Sequence, residues 1–258
     1  MKREHKAEMK ARARNIVLKV AYDGTAYHGF QRQTPPVIAV QNVLEGRLSK
    51  IFGDSIEMAA SGRTDAGVHA MGQVVNFFTD GRIPVEQIPR AANSQLPPDI
   101  VVVDAWEGDV SFSARHSAKS MTYIYRIQQG EVPNPFKRNF AWYIRQPLAV
   151  AAMREAIALL VGEHDFSSFR AAGGAPMSPV RTMYRAELRE LAGELLEFTF
   201  HGNGFLYHMV RNIIGTVVDV GRGRCSVARF EEIIAARDRR QASPTAPACG
   251  LCLYEVEY

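Results

Sequence analysis

Ile16-Val17-Leu18-Lys19-Val20-Ala21-Tyr22-Asp23-Gly24 decides the fold class. Ile16, Leu18, Val20 and Tyr22 alternate with their neighbours, the two-residue period of a strand with one buried face, and Asp23-Gly24 closes it as a turn. Downstream the period changes. Val40, Leu44, Leu48, Ile51 and Phe52 recur at helical spacing and stop before Gly53. Ile56, Met58 and Ala60 return to alternation, and the glycine-punctuated loop Ser61 to Ala70 leads into a strand around Val74 to Phe78. A helix after Pro84 or Pro89 and a strand at Ile100 to Trp106 complete the order β-α-β-β-α-β.

The rest of the chain repeats that order with longer connections. Strands are expected at 112–128 and 140–145, a helix over Ala149 to Val161, and a hairpin of 181–190 and 194–201 turning at Ala192-Gly193. Leu206, Val210, Ile213, Val217 and Val220 give one apolar helical face ending at Gly221. Ser226 can cap a further helix through Arg237, and Leu251 to Tyr258 alternates as a closing strand. The expected fold is α+β: two ferredoxin-like halves, 15–108 and 109–258, with antiparallel sheets joined edge to edge and helices on one face. Joining would hide one exposed edge of each sheet. The seam is expected near 107–111.

Of the 258 residues, 47% are hydrophobic and 22% charged, enough for cores of real size and too many for a small disulfide scaffold. No apolar run approaches the roughly 18 residues of a membrane span, and the charged N-terminus lacks the apolar core of a signal peptide, so a soluble, cytoplasmic protein is expected. Residues 1–14 hold six Lys/Arg against Glu4 and Glu8. They therefore carry the entire net charge of +4. Such a basic tail reads either as a disordered, solvated leader or as an arm for nucleic acid.

Several chemistries lose their footing in the sequence. There is no Gly-Lys dipeptide and hence no phosphate-binding P-loop, no G-x-S-x-G elbow, and no close set of Asp, Glu or His with metal-ligand spacing. Cys249-Gly250-Leu251-Cys252 is a lone C-x-x-C at the entry to a strand, where no helix start would lower a thiol pKa; it reads as core and edge cysteines. The most unusual segment is Ser61-Gly62-Arg63-Thr64-Asp65-Ala66-Gly67-Val68-His69-Ala70. Gly62 and Gly67 permit a tight backbone around Asp65. Asp65 is either a turn former or a carboxylate that, beside Arg63, serves as nucleophile or base on an anionic substrate. Tyr123, on the same strand face as Tyr125, is core or a base-stacking platform. Arg211, on the helix with Tyr207, His208 and Asn212, is a solvated arginine or a semi-buried one needing a carboxylate, for which Asp65 is a candidate.

At these residues the chain resembles the tRNA pseudouridine synthase A family. The resemblance runs from Ile16 to Tyr258 through Tyr22-Asp23-Gly24-Thr25, Gly29-Phe30-Gln31, the Gly62 to Ala70 block, Asp165-Phe166 with Ser168-Phe169-Arg170, His208 to Ile213, and Ala246-Pro247-Ala248. It departs at Phe30, where the family often has Trp, in the basic tail and in the C-terminal cysteines. The resemblance implies isomerisation of uridine to pseudouridine at positions 38, 39 and 40 of the tRNA anticodon stem-loop, without metal or other cofactor, by a homodimer with tRNA as partner. It makes Asp65 the nucleophile, Tyr123 the stack for the flipped uracil, Arg211 the cation that keeps Asp65 ionised, and Arg63 the filler of the space the base vacates. Two rivals are an inert RNA-binding module and a metal-dependent hydrolase using Asp65 and His69.

Overall fold

The computed structural model describes residues 12–174 and 176–258. Residues 1–11, which hold most of the expected basic tail, lie outside the described residues. Arg12 and Arg14, counted with that tail from sequence, belong to the fold: Arg12 donates to the Ser55 carbonyl at 2.8 Å, and Arg14 starts the first strand and donates to the carbonyls of Gly81 and Ile83. The architecture is mixed α+β, with mostly antiparallel strand pairing and five α-helices among the described residues. None of those helices is long and apolar enough to cross a membrane.

The chain divides into two compact units, one running to Ala118 and taking back Leu253–Tyr258, the other spanning Lys119–Cys252. In the first, β1 (Arg14–Tyr22) lies antiparallel between β3 (His69–Thr79) and β4 (Ile100–Gly108), with Leu18 opposite Val75 on one side and Ala105 on the other. The expected strand at 56–60 shrinks to β2 (Ala59–Ala60), paired with β3. Helix α1 (Val40–Phe52) buries Val40, Leu44, Leu48 and Phe52 and stops at Gly53, whose left-handed backbone lets its N–H reach the Ser49 carbonyl. A short α2 (Ile88–Asn93) precedes β4.

The strand expected from residue 112 starts only at Ser120. Residues 109–117 instead turn across the second face of the first sheet. Asn15 Nδ2 donates to the carbonyls of Asp109 and Phe112, and Asn76 Oδ1 accepts from the Ala114 N–H, so side chains of β1 and β3 take the bonds a ladder would have made. Phe112 and Ala114 thereby cover Val17 and Val74 together with Trp106, Val256 and Tyr258. That is why Val17, on the face opposite to Ile16 and Leu18, is also fully buried.

In the second unit β5 (Ser120–Gln128) pairs with β9 (Leu195–Gly202), β9 with β8 (Val180–Leu191), and β8 with β7 (Gly162–Asp165), all antiparallel. The two-residue β6 (Trp142–Tyr143) runs parallel to β5. Helices α3 (Val150–Ala158), α4 (Met209–Gly221) and α5 (Val227–Ala236) complete it, α5 capped by the Ser226 hydroxyl as its sequence suggests. The last strand, β10 (Leu251–Glu257), begins in this unit and ends in the first.

Candidate active site

The loop between β2 and β3 is held almost entirely through its main chain. At its start the Ser61 N–H donates to the Val74 carbonyl, and the fully buried Gln73 clamps both neighbours, accepting from Ser61 Oγ at 2.6 Å and donating to the Gly62 carbonyl at 2.9 Å. At its end the Val68 N–H closes a turn on the Asp65 carbonyl, with Gly67 at φ +76°. Residues 22–30 brace the loop from one side. Phe30 N–H donates to the Thr64 carbonyl, Gly67 N–H to the Tyr27 carbonyl, and the Tyr22 hydroxyl lies 2.7 Å from Thr64 Oγ1.

Two glycines make that approach possible. A Cβ on Gly29, which sits at φ +86°, would stand 2.7 Å from the Thr64 carbonyl oxygen, and one on Gly24 only 2.0 Å from that of Val68. Thr64 is buried between Arg63, which is exposed, and Asp65, which is half-buried. The backbone therefore presents a carboxylate and a guanidinium from a fixed platform, the arrangement that positioning a reacting group demands.

His69 serves the brace. Its imidazole is buried, and Nδ1 lies 3.0 Å from the Gly24 N–H and 3.1 Å from Asp23 Oδ1. Nδ1 accepts from Gly24 when unprotonated and donates to Asp23 when protonated, so in either state it is engaged by the 23–24 turn. Among the described residues no three His, Cys, Asp or Glu side chains converge as a metal site would require.

The other two expected residues lie in the second unit. Tyr123 is buried on β5, opposite Phe200 of β9, and meets the Phe205 ring edge-to-face at 5.0 Å. Tyr125 shares its strand face but is core: its hydroxyl donates to the Pro247 carbonyl at 2.8 Å, and burial, chiefly, drives its pKa well above the usual tyrosine range, with the Arg211 cation opposing. Arg211 is knotted to Ala246, its Nε donating to the Ala246 carbonyl at 2.8 Å while the Ala246 N–H donates to the Arg211 carbonyl. Beside it, fully buried Asn212 holds α4 in place: Nδ2 donates to the Phe169 carbonyl, and Oδ1 accepts from Thr245 Oγ1 at 2.6 Å and from Arg239. The helix starts at Met209, three residues later than its apolar spacing suggests, because His208 has φ +59° and breaks the run.

The three cysteines form no disulfide. Burial raises the Cys249 and Cys225 thiols, which keeps them protonated and unreactive. What sequence reading missed is the brace itself. Its signal was present in Tyr22-Asp23-Gly24 and Gly29, but nothing in a linear sequence says that these glycines face the 61–68 loop.

A family model described as tRNA pseudouridine synthase matches residues 19–117 and 156–258 of the chain. Among curated relatives, the tRNA pseudouridine synthase A of Geobacillus kaustophilus is 47% identical over 240 residues, covering 93% of this chain and 92% of that protein. Those of Lacticaseibacillus casei and Thermoanaerobacter pseudethanolicus are 45% and 42% identical, covering 93% and 95% of this chain and 97% and 100% of theirs.

Proposed function

Because this chain belongs to the tRNA pseudouridine synthase family, we propose that it isomerises uridine to pseudouridine in the anticodon stem-loop of tRNA, at positions 38, 39 and 40, with Asp65 as nucleophile and no metal. The reaction breaks the bond from uracil N1 to ribose C1′, turns the ring, joins C5 to C1′, and returns the C5 proton to N1 or solvent. It needs an aspartate that stays in place through the whole sequence, and the braced loop carrying Asp65 is the observation that supports this reading best. In the same reading Tyr123 stacks on the extruded uracil, Arg211 is the cation that favours ionised Asp65, and exposed Arg63 fills the gap left in the stem.

The first unit's strand order β4-β1-β3-β2 supports the ferredoxin-like reading of its half. Extension of that reading to the second half, an edge-to-edge join, a homodimer and a cytoplasmic location complete the proposal. Sedimentation at micromolar concentration tests the dimer, and cell fractionation the location.

The decisive experiment is product analysis on undermodified tRNA, with and without EDTA. Wild-type protein is expected to form pseudouridine equally in both, and Asp65→Asn to lose turnover by about a thousandfold or more while retaining tRNA binding. Loss of activity in EDTA would favour metal chemistry, and normal turnover by Asp65→Asn would remove the nucleophile assignment.

A further inference from the structure

Away from the residues assigned above, the second unit brings two arginines together. Arg170 follows the single turn Ser167–Phe169, and Arg181 is the second residue of β8. Arg170 Nη1 donates to the Met177 carbonyl at 3.2 Å. Arg181 Nη1 donates to the carbonyls of Ser178 at 2.8 Å and Val180 at 2.6 Å, and its Nη2 lies 3.2 Å from Met177 Sδ. Both guanidiniums are thus fastened to Met177. The groups that hold Arg181 are carbonyl oxygens and a thioether, which fix the orientation of a planar fork without neutralising its charge. Burial and, after it, the cation of Arg170 both push the Arg181 pKa down, so the fold holds like charges close together at a cost. A fold retains such a pair when an anion completes it.

The pair also has a definite address. Ala171 N–H donates to the Tyr207 carbonyl, Thr182 N–H donates to Asn203 Oδ1, and Gly204 lies beside Arg181, its Cβ position 3.5 Å from Nε. The two arginines therefore border the 203–208 segment that feeds α4 and Arg211. Their surroundings are open, with Met177 and Tyr207 both about half exposed. A large ligand can reach them.

We propose that Arg170 and Arg181 form a phosphodiester cradle that grips the backbone of the substrate RNA beside the segment leading to Arg211. This rests on the tRNA reading given above. The chemistry is that of a planar fork meeting two non-bridging phosphate oxygens, and such contacts set the register of the nucleic acid without reading its bases.

The test uses the full chain, an unmodified anticodon stem-loop, and a set of stem-loops each carrying one uncharged methylphosphonate linkage. Arg170→Gln and Arg181→Gln are each expected to weaken stem-loop binding about tenfold near 0.1 M salt, and the double variant to reduce the salt slope by about one to two. One methylphosphonate position should weaken binding to the wild type yet cost the double variant nothing further. Excess inorganic phosphate separates the sources of the anion: millimolar competition would point to a free-phosphate site and overturn the proposal. So would unchanged affinities and slopes, or methylphosphonate penalties equal in wild type and variants. Arg170→Gln alone repeats the scan in a chain that keeps the β8 anchors of Arg181, so a folding defect cannot imitate the result. Coupling without pseudouridine formation by the wild type would break the functional reading and leave the cradle standing; product without coupling would break only the cradle.

Discussion

The 61–68 loop of the first unit and the start of α4 in the second hold functional candidates by opposite means. Around Asp65 the loop is stitched by main-chain hydrogen bonds to residues 22–30, and the fit depends on two glycines that have no side chain to offer. Around Arg211 the helix is held by a side chain, the amide of Asn212, which joins Phe169, Arg239 and Thr245 in a buried knot. Main-chain bracing tolerates exchange of the loop's outward side chains but no added Cβ where backbones touch. A buried amide tolerates no loss of its polar atoms, since each partner would be left without a bond.

That contrast is broken most forcefully at Gly24. Gly24→Ala places a methyl where the Val68 carbonyl stands, and moving the backbone by about 1 Å should lower kcat about a hundredfold and stability by about 2–4 kcal/mol, read by single-turnover assay and denaturant melts. Normal activity would show the brace to be unimportant. Asn212→Ala, in the other region, should cost about 3 kcal/mol of stability by leaving three polar partners unsatisfied, with a smaller effect on rate at temperatures where it stays folded. If thermal denaturation were unchanged, the knot would not be what holds α4.

Arg63→Lys sharpens the comparison, because Arg63 is an outward side chain on the braced loop. The fold and the dissociation constant should stay close to wild type, while the single-turnover rate falls about tenfold, less on a substrate whose target uridine is mispaired. An affinity loss with unchanged rate would make Arg63 a phosphate contact only.

The smallest effect appears only in alkali. The hydroxyls of Tyr27, Tyr125 and Tyr258 are all raised above the usual tyrosine value near 10, chiefly by burial, with the Asp99 hydrogen bond adding to Tyr27. A raised folded pKa means that above about pH 10 the unfolded chain sheds protons the native protein keeps. Stability is whole below that pH and falls as pH rises toward the folded values, by at most about 1.4 kcal/mol per pH unit for each such tyrosine. Tyr27→Phe should make the decline shallower in urea melts from pH 9 to 11; an unchanged slope would mean that the Tyr27 hydroxyl ionises normally.

Local pattern made much of this architecture readable. β1, α1 with its glycine stop, the β8–β9 hairpin and the Ser226 cap all follow from spacing and capping residues, because their determinants lie within a few residues of one another. The strand expected at 112–119 does not form because Asn15 and Asn76, remote in sequence, claim its backbone groups. β7 went unread for a similar reason: Gly162-Glu163-His164-Asp165 has no apolar alternation and is a strand only because β8 lies alongside.

The site divides in the same way. The residue types around Asp65, and the glycines that let its backbone bend, are properties of the sequence alone. Tyr123 and Tyr125, two residues apart on one strand, are indistinguishable by period. Only tertiary structure separates them, by setting the Pro247 carbonyl against one hydroxyl and the edge of Phe205 against the other ring, since hydrogen-bond partners and ring contacts are chosen by distance in space and not by distance along the chain.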